Sequence, residues 1–146
     1  YYHWYTIFMN AIPQKTILLF GSFDGIHPGH EYLINFARNM GTKIILVVAQ
    51  DEIITNTKGR EPRYSIDERI NHLKEKFSEI DVISGDKIEG TWSAIKHYRP
   101  EIIVVGYDQH GLNAALESIQ REYQFDIVVA PSFKPEQYKS SLLRKK

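Results

Sequence analysis

A three-layer α/β/α sandwich on a five-stranded parallel sheet is the fold this sequence predicts, and three observations predict it. Five short apolar runs recur along the chain, at Thr16 to Phe20, Lys43 to Ala49, Asp81 to Ser84, Glu101 to Val105 and Asp126 to Ala130. Most are continuous in apolar residues rather than alternating, as parallel strands buried on both faces are. Segments of helical periodicity separate them, and strand, helix and strand in that order make right-handed crossovers.

The elements follow in order. Thr16 to Phe20 is the first strand, and Gly21-Ser22-Phe23-Asp24-Gly25-Ile26-His27-Pro28-Gly29-His30 is a glycine-rich turn behind it. The turn opens onto an amphipathic segment, Glu31 to Met40, with Tyr32, Leu33, Phe36, Ala37 and Met40 on one stripe and Gly41 as its stop. After the second strand the chain turns polar and irregular from Gln50 to Tyr64. Lys58-Gly59-Arg60-Glu61-Pro62-Arg63 at its centre predicts a mobile cationic loop. Ser65-Ile66-Asp67-Glu68 reads as a capping box that starts a helix through Arg69, Ile70, Leu73 and Phe77. Thr91 to Tyr98 predicts a short helix closed by Pro100, and Leu112 to Tyr123 a longer one before the last strand. In the tail, Ser140 or Ser141 is the expected N-cap of a final helix.

Composition narrows the function. The chain has 146 residues, enough for one domain with a sizeable core, and its 18 basic and 18 acidic residues balance. Net charge therefore gives no argument for nucleic acid or an anionic membrane as partner. Cysteine is absent, which is compatible with a reducing cytoplasm, and no apolar run approaches the length of a membrane span. Residues 1–15 read as an extension rich in aromatics, without the charged start and cleavage site of a signal peptide. Met9 is one candidate natural start, and a contact with a second subunit in a homodimer is another use for the aromatics.

The turn after the first strand is where chemistry is expected. Gly21, Gly25 and Gly29 allow positive φ and close backbone approach, and a helix start offers free N–H groups to an anion. His27 and His30 are three residues apart, on one side of the first helical turn, so both imidazoles can reach one phosphate group. A zinc site is the rival reading, but it needs further ligands, and only Asp24 and Glu31 lie nearby. In open parallel sheets ligands bind beyond the carboxyl ends of the strands, so the loops carrying His27, Lys58 and Asp108 are expected at one edge.

Gly-Ser-Phe-Asp-Gly-Ile-His-Pro-Gly-His closely resembles the G-[TS]-F-D-x-x-H-x-G-H signature of the cytidylyltransferase-like nucleotidyltransferases. These include glycerol-3-phosphate and choline-phosphate cytidylyltransferases, the nucleotidyl domain of ADP-heptose synthesis and the archaeal-type FAD synthases. The resemblance implies a Rossmann-like nucleotidyltransferase domain over 16–146 that moves AMP or CMP from ATP or CTP onto a small phosphorylated metabolite. Mg²⁺ would enter with the triphosphate, without a direct protein ligand, and the location would be cytoplasmic.

The same resemblance implies roles. His27 and His30 would contact the α- and β-phosphates in a pocket lined by Gly21, Ser22, Phe23 and Gly29. Lys58 would close over the triphosphate, with Arg60 or Arg63 as substitutes, unless all three are a solvated loop. Asp24 and Arg60 would serve the acceptor, the alternative for Asp24 being an Asx-turn. Arg69, in Asp67-Glu68-Arg69, corresponds to an arginine that would bind phosphate or pair with Glu68. Asp108, in Gly106-Tyr107-Asp108-Gln109, would lie near base or ribose, or cap the turn. Ser140 and Ser141 stand where cytidylyltransferases carry I-S-T-[TS], but the preceding R-T-x-G is absent and Lys139 would have to supply its charge.

That departure, with Lys-Gly-Arg-x-Pro and Gly-Tyr-Asp-Gln, looks more like the FAD synthases, with FMN as acceptor. A glycerol-3-phosphate enzyme and a non-catalytic nucleotide-binding module are the alternatives. A dehydrogenase is disfavoured because the first turn lacks G-x-G-x-x-G.

Overall fold

The structure, a computed structural model, describes residues 14–133. The aromatic N-terminus and the segment with Lys139, Ser140 and Ser141 lie outside them. The element order is β1 (Thr16–Gly21), α1 (Pro28–Arg38), β2 (Lys43–Val48), α2 (Asp51–Lys58), α3 (Ile66–Lys76), β3 (Asp81–Ser84), α4 (Ser93–Tyr98), β4 (Ile102–Val105), α5 (His110–Tyr123) and β5 (Asp126–Val129). The strands form one five-stranded sheet in the order β3-β2-β1-β4-β5. Every pairing is parallel. The predicted sheet and all its strands are present.

Leu18, Ile45, Leu46, Ile103 and Val104 are wholly buried because helices cover both faces. One core packs Ile17, Leu19, Ile44, Leu46 and Val104 against Ile34 and Ala37 of α1 and Leu73 of α3. The other packs Leu18, Ile45, Ile103 and Val105 against Ile95 of α4 and Leu116 of α5. Chain order reverses between β1 and β4, so the open edge beyond their carboxyl ends is the natural ligand crevice. Among the described residues no helix is long and apolar enough to cross a membrane.

Three local predictions need correction. The mobile loop predicted from Gln50 is helical over Asp51–Lys58. Asp51 and Glu52 favour the helix start, Ile54 is buried, and Gly59 caps the end at φ 74 in the left-handed region. Lys58 is thus presented from the last turn of a helix. Of the expected α1 stripe, Leu33, Phe36, Ala37 and Met40 pack on the core, but Ile34 joins them and Tyr32 lines the crevice against Phe133 instead. The stop of α1 comes earlier than Gly41, with Asn39 as C-cap. The predicted capping box of α3 is as expected: Ser65 Oγ accepts from Glu68 N–H, and the Glu68 carboxylate accepts from Ser65 N–H.

Candidate active site

A cleft of about 1500 Å³ opens over the carboxyl ends of the strands. Its lining brings together Gly21, Ser22, Phe23, His27, Gly29, His30, Lys58 and Asp108, eight of the residues singled out in the sequence. Residues as far apart in the chain as Gly21 and Asp108 meet there because parallel strands deliver every strand-to-helix turn to the same edge.

The turn after β1 is shaped by the space its glycines leave. A Cβ on Gly21 would stand 2.9 Å from the Phe23 ring, and one on Gly29 would stand 2.8 Å from the His27 ring. Phe23 itself is held at φ 50, a left-handed conformation that a bulky residue adopts only when its surroundings impose it. Its ring is buried beneath His30, with centroids 5.3 Å apart.

The helix start differs from the expected rack of free amides. Pro28 has no N–H, Gly29 N–H donates to His27 Nδ1 at 3.0 Å, and His30 N–H and Glu31 N–H donate to the His27 carbonyl. In return His27 N–H donates to His30 Nδ1 at 3.3 Å. The two histidines therefore make a capping box in which imidazoles replace the usual hydroxyl and carboxylate. Gly29 contributes room for a ring rather than an amide for a ligand. Each Nδ1 accepts a backbone N–H, so the proton of each neutral ring resides on Nε2. The rings stack with centroids 3.7 Å apart and 23° between planes, which keeps the pair together at the cleft.

Burial, then His27 and Lys58 close by, push the pKa of His30 down to about 4, against the opposing pull of the Gly25 backbone and Asp108. Between pH 6.5 and about 4 the unfolded chain binds a proton at this residue that the folded chain refuses, so folding stability falls as the pH falls through that window. Urea titrations across it are expected to show a weaker pH dependence for His30→Gln than for the parent. Equal dependence in both would mean that His30 titrates as an exposed histidine does.

Lys58 Nζ donates to Ser22 Oγ at 3.1 Å, which places a cation beside the imidazoles. Asp108 lines the same cleft from the turn after β4. Gln109, not singled out in the sequence, braces that turn: its Nε2 donates to the Phe20 carbonyl and its Oε1 accepts from Gly106 N–H.

Three expected site residues lie elsewhere. Asp24 accepts from Arg63 N–H at 2.7 Å and from Tyr64 N–H at 2.9 Å, so it ties the turn to the chain before α3 and does not line the cleft. Burial opposes its ionisation, but these two bonds with Arg69 and Arg63 nearby hold its carboxyl below the usual value. Arg60 is exposed and off the cleft, and Arg63 lines it instead. Arg69 is 0 % exposed, beneath the site rather than in it. It donates to the carbonyls of Tyr64, Ser22 and Ala49 and, at 2.5 Å, to the Asp51 carboxylate. A guanidinium so occupied holds the ends of β1 and β2 together and is unavailable to phosphate.

Known proteins resemble this chain in sequence and in fold. The chain is similar to the FAD synthase of Pyrococcus horikoshii, 34 % identical over 101 residues that make up 69 % of this chain and 68 % of the relative. It is similar to the FAD synthase of Methanosarcina barkeri too, 33 % identical over 96 residues, 66 % of this chain and 67 % of that one. Its backbone superposes on the lipopolysaccharide core biosynthesis protein of Thermoplasma volcanium with a TM-score of 0.72, covering 82 % of this chain and 98 % of that one. At 24 % identity, that likeness speaks for the fold alone. The pattern of the cytidylyltransferase-like family matches residues 18–146, from β1 through the turn with the paired histidines and onward past β5. A parallel sheet with a histidine-lined cleft at its switch point thus has a matching lineage, and the chain belongs to the cytidylyltransferase-like family and is a nucleotidyltransferase.

Proposed function

We propose that this enzyme transfers AMP from ATP to the phosphate of FMN, releasing pyrophosphate. The observation that carries the reading is the stacked histidine pair, in a cleft shared with Lys58, whose Nδ1 atoms are engaged by backbone so that Nε2 is the nitrogen that carries the proton. An acceptor phosphate oxygen attacks the α-phosphorus in line. The new P–O bond forms as the bond to the β-phosphate oxygen breaks, and that electron pair leaves with pyrophosphate. Two N–H donors and an ammonium aimed where negative charge accumulates lower the barrier without covalent chemistry.

The similarity to FAD synthases favours FMN and ATP over glycerol 3-phosphate and CTP. Asp108, across the cleft, suits the ribose hydroxyls. Mg²⁺ would arrive with the triphosphate and take phosphate and water oxygens as ligands.

Pyrophosphate release from ATP is expected only when FMN and Mg²⁺ are both present, with FAD as the other product by chromatography. CTP with glycerol 3-phosphate is the control pair. Release with that pair and none with ATP and FMN would overturn the choice of substrates. Nucleotide binding with no release from any pair would overturn the catalytic reading.

A further inference from the structure

The cleft has two ends of different chemistry. One gathers His27, His30 and Lys58, while the other, over the tips of β2 and β3, is walled mainly by Ile83, Ile88 and Trp92, with Phe20 beside them and the acids Asp86 and Glu89 in the same loop. No group of the phosphate chemistry needs that apolar end.

Trp92 breaks two local rules to stand there. It occupies the N-cap of α4, a position that favours small polar side chains, and it makes no side-chain cap bond. Its backbone is left-handed, φ 56 and ψ 39, which costs a bulky residue conformational energy. The loop is braced to hold it so. Gly85 N–H donates to the Val48 carbonyl at 2.7 Å, and Gln50 Nε2 donates to the Gly85 carbonyl at 2.9 Å. Farther on, Thr91 Oγ1 donates to the Ile88 carbonyl and Ser93 N–H to Asp86 Oδ2. The indole meets the Phe20 ring edge-on, 5.7 Å between centroids and 86° between planes, and stays only half-buried. Ile88, on the same wall, is 75 % exposed. One side of the indole packs on the second core, but a strained backbone that keeps a tryptophan half-buried on the wall of the cleft points to a ligand surface.

We infer that Trp92, with Ile88 on the same wall, is the specificity surface for the acceptor and takes a flat heteroaromatic ring carried by the acceptor phosphate. The inference rests on the function proposed above and adds the residues that select the acceptor. A ring stacked on the indole keeps its phosphate tail toward the histidines, whereas a small polyol phosphate leaves the apolar end wet.

The test measures steady-state kinetics and flavin-fluorescence quenching on the full chain. Trp92→Ala is expected to raise KM for FMN roughly tenfold, the scale of losing one stacked ring, with KM for ATP unchanged. Trp92→Phe should recover most of the loss. Ile88→Ser, at an exposed position where folding is not at stake, should raise KM for FMN by a smaller factor and decides the matter if Trp92→Ala fails to fold. A parent that turns over FMN, with FMN affinity unmoved by Trp92→Ala or, if that variant does not fold, by Ile88→Ser, overturns the inference and leaves the proposed function standing. A parent that neither binds nor uses FMN but adenylylates another phosphate overturns both.

Discussion

His27→Asn and His30→Gln are each expected to lose about 10²–10³-fold in kcat, the scale seen when one preorganised donor to a developing oxyanion is removed, while folding as the parent does. The substitutions are chosen to separate two jobs. In the structure each imidazole caps the helix with Nδ1, and each is proposed to act on phosphate with Nε2. Asn is among the best N-cap residues and Gln is a natural partner at the third helical position, so both retain an acceptor near the place of Nδ1 and delete Nε2. Alanine at either position would remove cap and donor together and add about 1 kcal/mol of helix destabilisation to the kinetic loss. Because the rings are stacked at 3.7 Å and are proposed to act on one phosphate group, the double variant should fall short of the product of the single effects. A double variant that melts like the parent and retains its turnover would remove the pair from the mechanism. Nucleotide affinity that fell while kcat held would instead assign the histidines to ground-state binding.

How much of this was legible beforehand depends on the range over which each feature is determined. The strands were readable because continuous apolar runs report burial on both faces, and the α3 capping box was readable because it is closed within four residues. The paired histidines were readable as a site, but not as a capping box, since hydroxyl and carboxylate side chains are the residues expected in that role. Asp24 shows the limit. Its partners are the amides of residues 63 and 64, some 39 and 40 positions away, and only the folded chain brings them together. The helix over Asp51–Lys58 was not legible because its stretch is polar, with Ile54 its one buried residue. Two acidic residues in its first turn and a glycine beyond Lys58 were the signals that would have found it. Trp92 had a weaker signal, an aromatic residue two positions after Gly90 at the start of the short predicted helix.

Arg69 is expected to be the most costly side chain to remove. Arg69→Ala would leave the Asp51 carboxylate without its cation and the carbonyls of Ser22, Ala49 and Tyr64 without donors. Breaking a buried ion pair by deleting one partner costs about 3–5 kcal/mol, and Asp51 is part-exposed, so water recovers some of that for the carboxylate. The three carbonyls lose their donors as well, and a total loss of about 3 kcal/mol out of a typical 5–15 kcal/mol predicts a melting temperature lower by roughly 10 °C. Arg69→Lys should rescue little, because one ammonium has neither the planar fork nor the reach to serve acceptors on four separate residues. The kinetic consequence separates positioning from contact. An arginine that touched phosphate would, on removal, raise KM for the nucleotide in a folded protein of parental stability. An arginine that clamps the Ser22 carbonyl from below loosens the turn that carries the histidines, so kcat and stability should fall together, and lowering the temperature should restore part of both.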